Sequence, residues 1–184
     1  SQRTLLERTV TILCRHQDAP LVAKKMNPED EKHLKALLRH VDNVRQSCLL
    51  LGERLIENRN ERFGIDLITN GQIHDCSKFR GSEWLYLRPE LFDSDKRHLF
   101  EASRQHHVMT NPHHPEYWGS IHKMPSIYIA EMVCDWSARS HEQGNDLREW
   151  IKDKSTKMFD MKVQSKIYKE IKHFVDLLLE PNFK

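Results

Sequence analysis

The chain has 184 residues, a formal net charge of +2, 30% charged residues and 38% hydrophobic residues. This length suits a single domain, and the composition is that of a globular protein rather than a disordered one. The near balance of charge argues against nucleic acid as a specific partner. No apolar run approaches the roughly 18 residues of a membrane-spanning helix, so we expect no membrane partner.

The N-terminus and the cysteines predict a cytoplasmic protein. Residues 1–15 carry scattered charges and no small-residue cleavage site, which argues against a secretory signal peptide. The four cysteines, Cys14, Cys48, Cys76 and Cys134, form no CxxC pair. We therefore interpret them as reduced thiols.

Helical periodicity dominates the sequence, whereas β-branched residues do not alternate as strands require. The predicted helices cover about residues 27–58, 65–78 with an interruption at Asn70-Gly71, 82–87, 95–109, 126–141, 146–158 and 163–179, with a loop at 112–125. We expect an all-α fold, a single-domain bundle of roughly seven to nine helices. Residues 27–184 form this domain, and residues 1–26 form an N-terminal helix and linker.

Histidines and acids fall on several inward-facing positions. The chain has 12 histidines, and seven of them lie between positions 74 and 122. His40 shares a helix face with leucines and valines, and His74 is followed directly by Asp75. Asp135 lies inside an apolar helix, where a carboxylate is costly unless it is paired or bound to a metal. Histidine is the commonest metal ligand, so the pattern indicates metal chemistry.

The order of these residues resembles the HD superfamily of metal-dependent phosphohydrolases, whose pattern is H…HD…D on a helical bundle. The matching segments are RHVDNVRQSCLLLGERL around His40, HDCSKF from His74 and EMVCDWSARS around Asp135. The resemblance covers about residues 30–140. With NPHHPEYW from Asn111, the motifs HDCSKF and EMVCDW resemble one HD-like subfamily more narrowly.

The resemblance implies a central site for one or two divalent transition-metal ions. Imidazoles with carboxylates suit Mn, Fe, Zn, Co or Ni, and the lack of a thiolate cluster argues against a structural zinc site. The implied ligands of the first ion are His40, His74, Asp75 and Asp135. A second ion would be bridged by Asp75 and bound by His107 and His114. These two histidines are seven positions apart, a closer spacing than in better-known two-metal HD enzymes.

The two histidine pairs leave alternatives open. We expect each pair to turn one ring inward and one outward, and the choices of His107 over His106 and of His114 over His113 are nearly even. The remaining candidates, His106 and His113, would contact substrate or act as a general acid. Glu131 is equally consistent with a hydrogen bond to a ligand histidine and with structural burial.

The implied function is hydrolysis of a nucleotide or similar small phosphorylated metabolite by a metal-activated water. Asp75, Lys78, His106 and His113 would be catalytic, and Lys78, His106 and His113 would bind substrate, with Lys78 steadying the phosphate as a point charge. The HDxxK spacing of Lys78 also occurs in the superfamily's diiron oxygenases, including myo-inositol oxygenase, which leaves an oxygenase as an alternative. The third alternative is a non-enzymatic helical interaction module with a structural metal site. A homodimer through the outer helices is compatible with each alternative.

Overall fold

A computed structural model describes residues 26–180, which contain no β-strand, and the all-α prediction is confirmed. In chain order the helices are α1 (Pro28–Glu57), α2 (Glu61–Ile73), α3 (Gly81–Tyr86), α4 (Arg97–Thr110), α5 (Ser126–Gln143), α6 (Leu147–Trp150), α7 (Thr156–Met158) and α8 (Lys166–Leu179). Among the described residues, those from His33 onward form one compact unit, and residues 26–32 belong to a separate one. The predicted N-terminal helix and linker lie, up to residue 25, outside the described residues.

The long helix α1 begins where its sequence predicts. The Asn27 side chain accepts a hydrogen bond from the backbone N–H of Asp30 at 2.7 Å, and Pro28 occupies a first-turn position that needs no N–H donor. Three acidic residues in the first turn face the positive end of the helix dipole. Along the rest of α1, apolar residues at spacings of three and four are buried: Leu37, Val41, Val44, Cys48, Leu51 and Leu55.

Helix α5 is the centre of the core, and it packs against α2 and α8. Its buried apolar residues are Ile129, Ala130, Met132, Val133, Cys134 and Ala138. They cover most of the helix circumference, which is typical of a helix enclosed by other helices. Polar side chains on this part of α5 therefore lie in the interior, where Glu131 is 5% exposed and the side chain of Asp135 is 14% exposed.

Helices α1 and α2 approach so closely that only glycine fits at the contact. A Cβ atom built on Gly64 would lie 2.4 Å from the backbone oxygen of Gly52, and one on Gly71 would lie 2.6 Å from Cβ of Cys48. The predicted interruption at Asn70-Gly71 is therefore wrong. Gly71 permits close helix packing, and α2 continues without a break to Ile73.

The break in this segment lies at the His74-Asp75 doublet instead. His74 has extended backbone angles, and Asp75 has the left-handed conformation with φ 56° and ψ 17°. A 3₁₀ turn, Cys76–Phe79, follows. Asp is one of the few residues other than glycine that adopt this conformation with some frequency. Because neither residue of the doublet has helical backbone angles, the two side chains do not point in the directions that a continuous helix would give them.

Two further segments differ from the predicted helices. The segment predicted as one helix over 146–158 consists of α6, a π-helical turn (Ile151–Ser155) and α7. The predicted loop at 112–125 contains 3₁₀ turns at Pro115–Trp118 and Ile121–Lys123. Within residues 26–180, no helix combines the length and apolarity needed to cross a membrane. Cys48, Cys76 and Cys134 have free thiols.

An ion pair ties α8 to α6. The buried carboxylate of Asp176 accepts hydrogen bonds from Arg148 on α6 and from Lys172 one turn earlier on α8. Burial by itself raises the pKa of Asp176, but these two hydrogen bonds outweigh it, so the pKa lies below its ordinary value. The charged form of Asp176 therefore stabilises the folded chain.

We predict that Gly64→Ala lowers the free energy of unfolding by about 1–3 kcal/mol. The added methyl group would meet the Gly52 carbonyl, which belongs to the backbone and cannot rotate away. This cost exceeds the gain of about 1 kcal/mol in helix propensity. Urea unfolding followed by circular dichroism would measure it. Gln72→Ala, at an exposed position of α2, is the control; equal stability of both variants would contradict the prediction.

We also predict that the effect of Asp176→Asn depends on pH. The carboxylate stabilises the fold above its unfolded-state pKa of about 3.9, and this contribution is lost as the pH falls through the lower folded-state pKa. Asp176→Asn should lower the free energy of unfolding by roughly 2 kcal/mol at pH 7, and the difference from wild type should shrink toward pH 3.

The control is Asp66→Asn, because Asp66 pairs with an exposed arginine, Arg62, at 3.0 Å. Exposed pairs of this kind contribute roughly 0.3–0.5 kcal/mol. Denaturant unfolding at a series of pH values would measure both variants. A deficit for Asp176→Asn that stays constant from pH 7 to pH 3 would show that the charge of Asp176 does not contribute.

Candidate metal centre

A cluster of histidines and acids lies at the centre of the helices. Four elements contribute to it: α1 gives His40, the turn after α2 gives His74 and Asp75, α4 gives His107, and α5 gives Asp135. The segment that follows α4 adds His113 and His114. His40, His74, Asp75, His107 and His113 are each no more than 3% exposed. Such a concentration of buried polar groups needs a compensating interaction.

Asp75 stands between two groups of histidines and directs one oxygen toward each. Its Oδ2 lies 3.6 Å from Nε2 of His40 and 3.6 Å from Nε2 of His74. Its Oδ1 lies 3.3 Å from Nε2 of His107 and 3.5 Å from Nε2 of His113. One carboxylate therefore belongs to both groups.

The first group consists of His40, His74 and Asp75, whose potential ligand atoms lie within 4.8 Å of one another. Asp135 adjoins it, with Oδ1 3.1 Å from Nε2 of His40. Metal–ligand bonds of about 2.0–2.2 Å would place neighbouring ligand atoms roughly 3.0–3.5 Å apart. The contacts between Asp75, Asp135 and the two histidines fall in or next to this range.

The second group consists of Asp75, His107, His113 and His114, again within 4.8 Å. Nε2 of His114 lies 2.9 Å from Nε2 of His107. Burial lowers the pKa of His114 to about 2, and the neighbouring His113 and His107 add to the effect. A neutral imidazole has a lone pair available, which is the state that binds a metal ion.

Three glutamates hold the outer nitrogens of the histidine rings. Glu142 lies 3.1 Å from Nδ1 of His40, and Glu83 lies 2.9 Å from Nδ1 of His107. Glu131 lies 2.9 Å from Nδ1 of His74 and 3.3 Å from Nδ1 of His113. A carboxylate can only accept here, so each Nδ1 donates, and each Nε2 faces Asp75. Metal-binding histidines are oriented by partners of this kind.

Five of the inward-facing atoms lack hydrogen-bond partners. Among the described residues, the buried Nε2 atoms of His40, His74 and His113 have no hydrogen-bond partner. The buried Oδ1 atoms of Asp75 and Asp135 have none either. His40 and Asp135 approach to 3.1 Å without the alignment of a hydrogen bond. Buried polar atoms are rarely left unsatisfied. Five such atoms at one point, together with their donor chemistry, fit a cation.

The charges of the cluster lead to the same conclusion. Burial raises the pKa of Asp75, but the charges of Lys78 and His74 outweigh it, and the pKa lies well below its ordinary range. Burial also raises the pKa of Glu131, but its hydrogen bonds to His113 and His74 outweigh burial and lower the pKa to about 2. Burial lowers the pKa of His74, but Asp75 and Glu131 raise it to about 9. The centre thus attracts positive charge, which a bound metal ion would supply in place of protons.

Lys78 lies beside the cluster, with Nζ 2.5 Å from Oδ2 of Asp75. The 3₁₀ turn after the doublet produces this contact, because the backbone N–H of Lys78 donates to the carbonyl of Asp75 at 2.9 Å. Lys78 also lines the cavity that opens over the cluster. The ammonium group of Lys78 can therefore contact both the candidate ligand Asp75 and a molecule in the cavity.

The structure brings together the six predicted metal ligands: His40, His74, Asp75, His107, His114 and Asp135. It differs from expectation for the other two histidines. His113 and His114 both face the cluster. They lie in a sharp turn, in which the backbone N–H of His114 donates a hydrogen bond to the carbonyl of Asn111. His106 lies outside it, with a side chain 56% exposed and Nδ1 2.7 Å from Glu83.

Sequence reasoning missed Glu83 and Glu142 and left the role of Glu131 open. Asp135 follows Glu131 by four residues, and Glu142 follows Asp135 by seven. These spacings place all three side chains on one face of α5. That spacing could have identified Glu142. Nothing in the sequence pairs Glu83 with His107, because α3 and α4 meet only through tertiary packing.

We predict that Glu131→Gln weakens divalent metal binding by about 10–100-fold, because two ligand rings lose their shared carboxylate. Competition with a chelating dye for Mn²⁺ would measure the affinity. Glu61→Gln, at an exposed position on α2, is the matched control and should bind as wild type does. Unchanged affinity in Glu131→Gln would show that this carboxylate does not orient metal ligands.

A comparison with family models gives a match over residues 29–180 to a family described as "Family of unknown function (DUF5662)". No curated protein sequence matches the chain, and no solved structure matches it. The match covers all the histidines and acids of the cluster described above. Because it spans well over half of the 184 residues, the chain belongs to this family.

Proposed function

We propose that the protein is a metal-dependent phosphohydrolase of the HD type that acts on a small phosphorylated metabolite. The observation that supports the proposal best is the convergence of five buried, unpartnered donor atoms around Asp75. An interior held together only by packing would place apolar groups there, since each unsatisfied polar atom costs about 1–3 kcal/mol. The H, HD and D positions of the sequence motif supply four of these five residues.

The two ligand groups support a pair of ions rather than one. Oδ1 and Oδ2 of Asp75 face different histidines, so this carboxylate can bridge. Bound divalent ions lower the pKa of water toward neutrality and neutralise charge on phosphoryl oxygens. His40, His74 and Asp135 would hold one ion, and His107, His113 and His114 would hold the other.

The overall reaction is phosphomonoester hydrolysis. An oxygen of water forms a bond to phosphorus, the ester P–O bond breaks, and the leaving oxygen takes up a proton to give an alcohol and inorganic phosphate. Lys78 is placed to hold a phosphoryl oxygen or the leaving oxygen, because it lines the cavity next to Asp75. Its side chain is 16% exposed, so it is shielded from solvent on most sides.

The roles proposed for His106 and His113 change with their positions. His106 does not line the cavity over the cluster, and neither does His113. We therefore assign His113 to the ligand set and give His106 no contact with substrate. Glu83 joins His106 and His107 through its two oxygens, so His106 acts on the site only through Glu83.

A diiron oxygenase of the same superfamily is the second candidate function. The HDxxK spacing and the contact between Lys78 and Asp75 favour it, and a site of histidines and carboxylates suits iron as well as manganese or zinc. The two functions differ in the metal they need. A redox-active iron is required for oxygen chemistry, whereas several divalent ions serve hydrolysis.

Metal analysis of the purified chain would test the proposal. We expect two divalent ions per chain in the wild type, none in Asp75→Ala and one in His107→Ala, because Asp75 belongs to both groups and His107 to one. His98→Ala, at an exposed position of α4, is the control and should retain both ions. Elemental analysis before and after reconstitution would give the counts.

Phosphate release from a panel of phosphomonoesters, with and without EDTA, would complete the test. Activity that EDTA abolishes and Mn²⁺ restores would support the hydrolase. Consumption of O₂ by the iron-loaded chain without phosphate release would support the oxygenase. Wild-type protein that takes up no metal on reconstitution would overturn both and leave an interaction module.

A further inference from the structure

The cavity over the cluster combines a polar floor with apolar walls. It has a volume of about 700 Å³, which is within the usual range for small-molecule sites. His40, His107, His114 and Asp135 lie at its floor, beside Lys78. The walls are formed by large apolar side chains from several elements: Leu37, Phe92, Phe100, Trp136, Met158 and Phe159.

The helices that carry candidate ligands also carry part of these walls. On α4, Phe100, Arg104, His107 and Val108 line the cavity, with spacings of three and four residues. On α5, Trp136 directly follows Asp135. The positions of Leu37, Phe100 and Trp136 relative to the floor are therefore fixed by the helices that carry the candidate ligands. Phe92 adds an edge-on ring contact to Phe100, with ring centroids 5.6 Å apart.

The described lining of this cavity contains no hydroxyl or amide side chain that could hydrogen-bond a sugar or a base. Among the described residues that line it, none is Ser, Thr, Tyr, Asn or Gln. The polar lining residues outside the floor are His33, Glu116, Arg104 and Arg139. A ribose or the edge of a base would give up hydrogen bonds to water and find few side-chain partners in return.

The two arginines do not call for a second anionic group deep in the cavity. Arg104 lies 3.0 Å from Glu101, and Arg139 lies 3.4 Å from Glu142. Both side chains are about half exposed, so they lie near the mouth and are already paired with carboxylates. The demand for negative charge is concentrated at the floor, where Lys78 and the cluster meet.

We propose that the substrate is a phosphomonoester whose organic part is an apolar alkyl or aryl group, not a nucleotide; this inference rests on the proposed function. The phosphoryl group would contact the floor, and the organic part would lie against Leu37, Phe100 and Trp136. Burial of apolar surface would supply most of the selectivity between substrates.

Binding of non-hydrolysable phosphonates to the Mn²⁺-loaded chain would test the inference without depending on turnover. Isothermal titration calorimetry would compare inorganic phosphate, methylphosphonate, butylphosphonate, hexylphosphonate and an adenosine 5′-phosphonate. We expect affinity to rise by up to about fourfold for each methylene group that becomes buried. Hexylphosphonate should bind at least tenfold more tightly than the adenosine compound.

A wall variant and a matched control refine the test. Phe92→Ser removes an apolar side chain that is 41% exposed at the cavity, so it should reduce the gain per methylene group without unfolding the chain. Ile65→Ser removes an equally exposed side chain, 45% exposed, that does not line the cavity. The control should keep the wild-type dependence on chain length.

The outcomes separate this inference from the proposed function. Equal affinity for methylphosphonate and hexylphosphonate, or tighter binding of the adenosine compound, would overturn the apolar substrate and leave the phosphohydrolase. Failure of the metal-loaded chain to bind either phosphate or methylphosphonate would overturn the phosphoryl site, and the inference would fall with it. A chain-length dependence that Phe92→Ser reduces and Ile65→Ser preserves would establish the inference.

Discussion

The arrangement of the histidine and acid cluster depends on the position of one buried carboxylate, that of Asp75. Asp75 has a left-handed backbone between α2 and a 3₁₀ turn, so its side chain leaves the helix direction and its two oxygens face two different histidine groups. Left-handed residues other than glycine carry a local cost, and they recur where the surrounding structure needs that geometry. A continuous helix through the doublet would give His74 and Asp75 directions about 100° apart, and Asp75 could not lie between both groups.

The glutamates explain how four histidine rings can be held with one nitrogen toward the centre. Each ring has two nitrogens, and a carboxylate on Nδ1 fixes both the rotation and the tautomer. Glu131 serves two rings at once, whereas Glu83 and Glu142 serve one ligand ring each. This arrangement leaves an excess of acidic groups around a buried point. A site so composed is stable when a cation occupies it and costly otherwise.

The sequence predicts the helices well because apolar residues recur at helical spacing, and α1, α4, α5 and α8 fall close to the expected positions. The resemblance carried by the H, HD and D positions also predicts six of the side chains that meet at the centre: His40, His74, Asp75, His107, His114 and Asp135. The prediction from sequence fails where contacts between separate elements determine the local structure. Gly71 resembles a helix break but permits contact with Cys48, and Glu83 meets His107 only because α3 packs beside α4. The inward direction of both His113 and His114 likewise depends on a turn without a periodic signal.

Helical periodicity also connects the candidate metal centre with the chemistry of the cavity above it. A residue three or four positions from an inward ligand faces the same side of its helix. His107 is therefore accompanied by Arg104 and Phe100, and His40 by Leu37 and Ala36, along one cavity wall. Each ligand helix has to bury its inward stripe, so the residues next to the ligands are mostly apolar. Hydroxyl or amide groups at these same positions would offer a sugar or a base neutral hydrogen-bond partners. The described lining has none, so the helix faces that hold the centre together support the proposal of an apolar substrate rather than a nucleotide.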